Sequence, residues 1–194
     1  MKILLFDCHD SFTFNLAHCI KTLITNSDRL DIVSSTALDL DSVGFYDRVI
    51  LSPGPGIPQE AGFLMDLIER WAQKIPFLGI CLGHQALALA FGAELINLPK
   101  VFHGVKSDLL LVKRTSLFEG LPDNFEGGRY HSWEVSRCGF PEDLQITCVD
   151  DRGSIMGFKH QKYNLHGLQF HPESILTPMG PMIMSNFLRS GAYQ

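Results

Sequence analysis

The sequence predicts an α/β fold: a doubly wound, mainly parallel open sheet with helices on both faces and an antiparallel extension. Its first half alternates strand-like with helix-like segments, which favours parallel strands joined by helical crossovers. Its second half is richer in strand-like segments, several of them separated by Gly or Asp. A length of 194 residues without a repeat or linker suits a single domain, which we place at residues 1–194.

Short apolar runs and periodic apolar residues define the individual elements. In the first half, strands are predicted at residues 2–6, 30–34, 48–51 and 76–80. One helix is predicted to end near residue 23, and two more are predicted at residues 63–73 and 83–91. The first helix follows Asp10-Ser11, whose side chains can accept hydrogen bonds from the free N–H groups of a first turn. In the second half, strands are predicted at residues 109–113, 134–135, 144–149, 155–159 and 165–170, and a helix at 179–188.

Composition and charge argue against several classes of protein. Hydrophobic residues make up 45% and charged residues 19%, which is a globular balance. The net charge of −5, with no strongly basic stretch, lacks the electrostatic footprint of a nucleic-acid-binding protein. No apolar stretch approaches the ~20 residues of a membrane span, and the N-terminal apolar run that Asp7 ends is too short for a signal peptide. We therefore expect a cytoplasmic protein that binds neither nucleic acid nor membrane.

The cysteines predict neither a disulfide framework nor a metal site, because their number is odd, their spacing is scattered and no C-x-x-C occurs. Cys81 differs from the others, since Gly79-Ile80-Cys81-Leu82-Gly83-His84-Gln85 joins a predicted strand to a predicted helix. This is the context of a nucleophile elbow, in which flanking glycines relieve clashes and the helix N-terminus favours the thiolate. The five cysteines are Cys8, Cys19, Cys81, Cys138 and Cys148.

Two further segments offer groups that a cysteine nucleophile needs. His171 and Glu173 are two residues apart at the end of a predicted strand, where alternate side chains share a face, so the carboxylate could orient the imidazole as a base. The loop Ser52-Pro53-Gly54-Pro55-Gly56-Ile57-Pro58 follows another strand, and the N–H groups of Gly54 and Gly56 could stabilise an oxyanion. Each segment alone is compatible with an ordinary turn, so its significance depends on its occurring together with Cys81.

The segments PGPG, GICLGHQ and HPES, in this order and spacing, resemble the class I glutamine amidotransferases. The resemblance covers essentially the whole chain and is strongest to the small separate amidotransferase subunits of anthranilate synthase and aminodeoxychorismate synthase. It implies a flavodoxin-like sheet and hydrolysis of L-glutamine to glutamate and ammonia, with no metal or other cofactor. Further matching stretches are residues 10–13, 60–62, 129–132 and 174–177.

The resemblance also implies roles for particular residues. Cys81 would form a γ-glutamyl thioester, His171 would transfer the protons and Glu173 would hold the imidazole. The backbone N–H groups of Gly56 and Leu82 would bind the oxyanion. The residues implied in glutamine binding are Gly54, Pro55, Gly56, Gln85 and the main chain of Ser132 and Trp133.

The ammonia implies a partner protein. A chain of this length has no room for the acceptor chemistry, so the resemblance implies a separate chorismate-binding synthase subunit. Anthranilate synthase and aminodeoxychorismate synthase both remain open, and residues 155–160 favour the second. A γ-glutamyl peptidase is an alternative, against which Gln85 and residues 130–132 weigh. A non-catalytic regulatory module is another, and it should have a broken triad.

Some positions depart from the family pattern or stay unassigned. The usual Asp-Asn-Tyr-Asp is Asp7-Cys8-His9-Asp10, and Trp133 replaces a more usual leucine, which could alter the pocket wall or the partner surface. The His-Gly-Lys of a loop that meets the synthase becomes His103-Gly104-Val105-Lys106, so roles within this loop are open. His84 is expected to be structural because it follows the nucleophile by three positions on a helix, and His131 and His103 are further candidates for structural roles.

Overall fold

The computed structural model describes residues 1–191. Its strands are β1 (Lys2–Asp7), β2 (Arg29–Ser34), β3 (Arg48–Leu51), β4 (Phe77–Ile80), β5 (Leu95–Asn97), β6 (Val105–Leu111), β7 (Asn124–Arg129), β8 (Trp133–Val135), β9 (Leu144–Asp150), β10 (Ile155–His160) and β11 (Leu165–Leu168). Its α-helices are α1 (Phe12–Leu23), α2 (Leu64–Trp71), α3 (Leu82–Ala90) and α4 (Gly180–Arg189). Nine strands form one sheet in the order β2-β1-β3-β4-β11-β10-β9-β6-β7, and β5 pairs with β8 separately.

The parallel half of the sheet positions the site. β1 pairs in parallel with β2 and β3, and the parallel order continues through β4 to β11. The chain passes from β1 to β2 on one side and returns to β3 on the other, so the strand order reverses beside β1. Ligands of open α/β sheets bind at the carboxyl ends of strands near such a reversal. The loops that follow β3, β4 and β11 therefore share the edge where a site is expected.

The antiparallel extension returns to that edge. β10, β9, β6 and β7 follow β11 in antiparallel order. An isolated bridge then joins Gly128 of β7 to His171, just beyond β11. The extension thus contacts the segment that carries the predicted base.

Helices cover both faces of the sheet. Ile3 and Leu5 of β1 are buried in a core with α1 and α4, whereas Leu4 and Phe6 are buried in a core with α2 and α3. Successive side chains of a strand point to opposite faces, so one apolar strand supplies both cores. This arrangement confirms the predicted doubly wound α/β fold class. No helix in the described part of the chain is long and apolar enough to cross a membrane.

The predicted elements are present with shifted ends, and two strands were not predicted. The strand expected at residues 109–113 begins earlier, at Val105, and ends at Leu111. β5 and β7 were missed, and β7 contains two adjacent glycines, which weaken strand propensity. β7 forms because β6 pairs with it closely: a Cβ at Gly127 would lie 2.4 Å from Cδ1 of Leu109.

The start of α1 matches the prediction only in part. Oδ1 of Asp10 accepts a hydrogen bond from the N–H of Phe12 at 2.7 Å, so Asp10 supplies a side-chain cap. Ser11 has helical backbone angles, and its side chain makes no capping hydrogen bond. One residue of the predicted pair therefore satisfies the first turn.

Candidate active site

Cys81 lies in the turn between β4 and α3, at the carboxyl edge of the sheet. Its backbone angles, φ 51° and ψ −100°, are strained for a residue that carries a side chain. Its N–H donates to the carbonyl of Leu168 at 2.8 Å, which ties the turn to the end of β11. The turn therefore has the strand–turn–helix geometry of a nucleophile elbow.

The glycines that flank Cys81 let strand and helix approach closely. A Cβ at Gly79 would lie 2.4 Å from the backbone C and O atoms of Gly83. A Cβ at Gly83 would lie 2.6 Å from Cβ of Leu51 on β3. Both positions require glycine, because no side chain fits between the elements that meet here.

Gly79→Ala is expected to destabilise the protein by about 3–5 kcal/mol, because the backbone of the elbow must move to admit a methyl group. The measurement is the free energy of unfolding in urea. Gly157→Ala on β10 is the matched control, since its Cβ would lie 3.1 Å from Cβ of Cys148 and Oγ1 of Thr147, a milder overlap than the 2.4 Å at Gly79. Equal losses in the two variants would contradict the steric explanation.

His171 and Glu173 form a buried pair beyond the end of β11. Nδ1 of His171 lies 2.8 Å from Oε1 of Glu173. Burial lowers the pKa of His171, but the effects of Cys81 and Glu173 together outweigh it and raise the pKa to about 10. Nε2, the other ring nitrogen, is buried and makes no hydrogen bond within the described chain. Catalytic hydrogen bonds commonly tighten only when substrate binds.

Three side chains without a predicted role surround the thiol and the imidazole. The ring centroids of Phe12 and Tyr130 lie 5.1 and 4.8 Å from that of His171. Nε2 of Gln169 donates to Sγ of Cys81 at 3.6 Å. Gln169 could have been found from its alternation with His171 along an extended segment, whereas Phe12 and Tyr130 come from distant parts of the sequence.

A cavity of about 160 Å³ opens beside Cys81. Its size suits a ligand smaller than the drug-sized molecules that fill pockets of roughly 300–1,000 Å³. A larger surface groove of about 540 Å³ runs along α1 behind Glu173, but Cys81 does not line it, so we place the chemistry in the smaller cavity. The cavity brings together the predicted oxyanion and glutamine-binding residues, and its lining is Gly54, Pro55, Gly56, Cys81, Leu82, Gln85, Tyr130, His131, Ser132 and Trp133.

Gly56 and Leu82, the two predicted oxyanion donors, both line the cavity. Leu82 is the first residue of α3, where N–H groups have no partner within the helix. Gly56 has a φ of +72°, which favours glycine. Neither N–H donates a hydrogen bond to another described residue. Two unpaired donors beside a thiol can stabilise an oxyanion.

Hydrogen bonds to two main-chain carbonyls hold the wall of the cavity that Ser132 and Trp133 form. The carbonyl of Trp133 accepts from Nε2 of Gln85 at 2.8 Å and from Nδ1 of His131 at 2.9 Å. The carbonyl of Ser132 accepts from the N–H of Leu98 at 2.8 Å. Both carbonyls are thus engaged within the protein, and the main chain here has N–H groups rather than carbonyls to offer a ligand.

The other histidines differ in position. His84 is buried against Phe158, with ring centroids 4.7 Å apart, and does not line the cavity. Burial lowers the pKa of His84 to about 3, so it is neutral and suits the expected structural role. His103 is exposed, and its ring packs edge-on against Tyr130. Within residues 1–191, no group of three or more His, Cys, Asp or Glu side chains is arranged to hold a metal ion.

The fold and this site are typical of one class of protein, the enzymes that use a side chain at a strained elbow as a covalent nucleophile. Comparison with known proteins narrows this class. The family described as glutamine amidotransferase class-I matches residues 4–190. The chain belongs to the class-I glutamine amidotransferase family, as its motifs predicted.

Individual relatives match almost end to end. Anthranilate synthase component 2 of Porphyra purpurea is 40% identical, with 97% of this chain and 99% of the relative covered. Aminodeoxychorismate synthase component 2 of Escherichia coli is 38% identical, with 96% and 98% covered. A solved structure from Thermoplasma acidophilum, assigned to a GMP synthase, has a TM-score of 0.85 at 26% identity, with 97% and 92% covered. The predicted enzyme class, a glutamine amidotransferase, is confirmed.

Proposed function

We propose that Cys81, His171 and Glu173 are the triad with which this amidotransferase hydrolyses L-glutamine. The observation that carries the proposal is a thiol on a strained elbow together with a buried, charge-supported imidazole. Burial lowers the pKa of His171, but the effects of Cys81 and Glu173 outweigh burial and raise the pKa to about 10. A protonated imidazole stabilises the thiolate, which is the nucleophilic form of cysteine. Glu173 orients the ring through its 2.8 Å contact with Nδ1 and supports its positive charge.

The chemistry has two halves. The thiolate of Cys81 attacks the side-chain amide carbon of glutamine, and His171 gives its proton to the nitrogen, which leaves as ammonia. A γ-glutamyl thioester remains on Cys81. His171 then takes a proton from water, the hydroxide attacks the thioester carbon, and the C–S bond breaks to release glutamate. The thiolate and the protonated imidazole are thereby restored.

The other residues of the cavity stabilise the negative charge of the oxyanion and bind the substrate. The N–H groups of Gly56 and Leu82 stabilise the oxyanion that forms in each half, because both residues line the cavity and neither N–H has another partner in the described chain. The glutamine lies between two walls. One wall is formed by Gly54, Pro55 and Gly56, and the other by Gln85, Ser132 and Trp133.

A separate chorismate-binding synthase subunit receives the ammonia. The support is the near-complete match to second components of two synthases. An exposed loop beside the site offers a contact surface: Val101 is 60% exposed, and His103 packs on the Tyr130 ring that also covers His171. All five cysteines are free thiols, which suits the reducing cytoplasm proposed for the protein.

The choice between the two synthases cannot rest on residues 155–160. They form β10, which lies inside the sheet between β9 and β11 and is mostly buried. A buried strand does not contact a partner, so its sequence reflects packing. The hypothesis of an aminodeoxychorismate partner therefore needs a direct experiment.

The experiment combines the protein with each candidate synthase subunit in turn and supplies chorismate and glutamine. We expect glutamate together with either anthranilate or aminodeoxychorismate, and the aromatic product identifies the partner. Cleavage of γ-glutamyl peptides but not of free glutamine would instead favour a peptidase. Failure of a glutamine-mimicking diazo-ketone to label Cys81, even with the partner present, would favour a non-catalytic module.

A further inference from the structure

A buried chain of hydrogen bonds leads from the antiparallel extension to the wall of the cavity. Nη1 of Arg129 donates to Oδ2 of Asp150 at 2.6 Å, and Nε of the same guanidinium donates to Nε2 of His131 at 3.0 Å. Nδ1 of His131 then lies 2.9 Å from the carbonyl of Trp133. The Arg129 and His131 residues are 2% and 3% exposed, so water does not compete for these contacts.

The chemistry of the donors fixes the tautomer of His131. A guanidinium nitrogen can only donate, so Nε2 of His131 must accept and carries no hydrogen. The carbonyl of Trp133 can only accept, so Nδ1 carries the hydrogen and donates. Burial and the adjacent Arg129 charge lower the pKa of His131 to about 3, which keeps the ring neutral. One protonation state alone satisfies both neighbours.

Phe102 holds the chain of contacts in place from the other side. Its ring lies 3.6 Å from Cζ of Arg129 and stacks on His131 with centroids 5.4 Å apart and planes 26° apart. Its N–H donates to the carbonyl of His131 at 2.9 Å. A flat guanidinium over an aromatic face is a favourable cation–π contact. The imidazole is therefore fixed in orientation as well as in tautomer.

The strand ladder shows why the Trp133 carbonyl matters. Ser132 is bonded to Leu98 across the β5–β8 pair, so the next residue, Trp133, turns its own N–H and carbonyl to the opposite side. On that side the carbonyl meets Gln85 and His131, and both of these residues line the cavity. The N–H of Trp133 points to the same side. It is positioned to donate to a ligand as long as the carbonyl stays where His131 and Gln85 hold it.

We propose that Arg129 and His131 are positioning residues for glutamine, which fix the Trp133 main chain so that its N–H and the Gln85 side chain bind the substrate. Neither residue takes part in the bond changes. This role rests on the proposed glutaminase function, and it adds a dependence of substrate affinity on a buried ion pair that lies outside the triad.

The first test compares Arg129→Lys with a matched control, Arg48→Lys. Lysine can keep the charge beside Asp150 but has no Nε–H for His131. Arg48 is also buried and donates to the carbonyl of Leu188; it is the first residue of β3, whereas the cavity loop follows the end of that strand. With the synthase subunit present, we expect Arg129→Lys to raise KM for glutamine about tenfold and to leave kcat within about threefold, because uniform binding is lost. Arg48→Lys should change neither constant by more than about twofold.

A merely structural role gives a different result. Partial unfolding would lower the apparent kcat and the fraction of sites labelled by the diazo-ketone, and would leave KM unchanged. That outcome, or equal KM values in the two lysine variants, would overturn the proposal. An inactive wild-type protein would instead contradict the glutaminase function itself, so the two failures can be told apart.

The second test observes the tautomer and does not depend on turnover. ¹⁵N NMR of the histidine side chains should show His131 neutral and protonated at Nδ1, with its signal assigned from its absence in His131→Asn. His131→Asn keeps an N–H donor near the Trp133 carbonyl and should retain a lower KM than His131→Leu, which has none. A wild-type His131 protonated at Nε2, or equal KM values for the asparagine and leucine variants, would contradict the proposal.

Discussion

Cys81→Ala is expected to lower the rate of glutamine hydrolysis by at least about 10⁴-fold, as loss of a nucleophile does in other covalent hydrolases. The thiol is the only nucleophile at the elbow, and no other cysteine or serine hydroxyl is placed on that strained turn in the described chain. The fold should be retained, because alanine is smaller and leaves the turn backbone unchanged. The measurement is glutamate release with the synthase subunit present.

The same variant separates glutamine hydrolysis from ammonia use. With ammonium salt in place of glutamine, the complex of Cys81→Ala with the synthase subunit should still form product, since the acceptor chemistry belongs to the partner. Cys148→Ala is the matched control, because Cys148 is a buried thiol of β9 outside the cavity, and it should keep glutaminase activity. Loss of the ammonia-driven reaction in Cys81→Ala would contradict the proposed division of labour.

Glu173→Gln is expected to lower kcat by roughly 10³–10⁴-fold with little change in KM. The carboxylate accepts from Nδ1 of His171 at 2.8 Å in a fully buried position. An amide can turn its N–H₂ toward Nδ1 and so favour the wrong tautomer, and it no longer supports the positive ring. Glu126→Gln serves as the control, since Glu126 pairs with Lys106 on the exposed edge of the sheet and should not affect turnover.

Because the pKa of His171 differs between the folded and unfolded protein, the stability of the protein should depend on pH, and Glu173→Gln should change that dependence. Burial lowers the pKa, but Cys81 and Glu173 raise it from 6.5 to about 10, so the folded protein binds the proton more tightly than the unfolded chain. The resulting stabilisation is fully present below pH 6.5 and is lost as pH rises through 10. Glu173→Gln removes one cause of the raised pKa, so the loss should occur at lower pH than in the wild type. Urea unfolding from pH 6 to 10 measures this, and identical pH profiles would contradict the pairing.

Local patterns predicted much of the fold because they depend on neighbouring residues. Apolar runs located β1, β3 and β4 within a residue or two, since a buried parallel strand is apolar on both faces. β7 was missed because its Glu126-Gly127-Gly128 centre has no local strand signal. It is a strand only because β6 lies beside it, and the sequence does not state that proximity.

The candidate site likewise contains some residues that short motifs predicted and others that only the folded structure revealed. The proposed nucleophile, the proposed base and the carboxylate that orients it could be named from short motifs, because the glycines around Cys81 and the spacing of His171 and Glu173 are local requirements of the chemistry. Tyr130 and Gln169 were missed as contacts of this group, although both stand close to named motifs. Their contacts join segments that are far apart in the chain or face one another only after the sheet has formed.

The sequence by itself determined the family and the elbow around Cys81, and it supplied the members of the proposed triad, because each is encoded in a few adjacent residues. Only the tertiary structure decided that the elbow, the Gly54–Gly56 loop and residues 130–133 line one small cavity, with the His171–Glu173 pair beyond the end of the neighbouring strand β11, since this arrangement depends on strand order. It alone also decided the state of His131, whose tautomer is set by a guanidinium on one side and a carbonyl on the other. A hydrogen bond is specified by the positions of two atoms, and those positions exist only once the chain has folded.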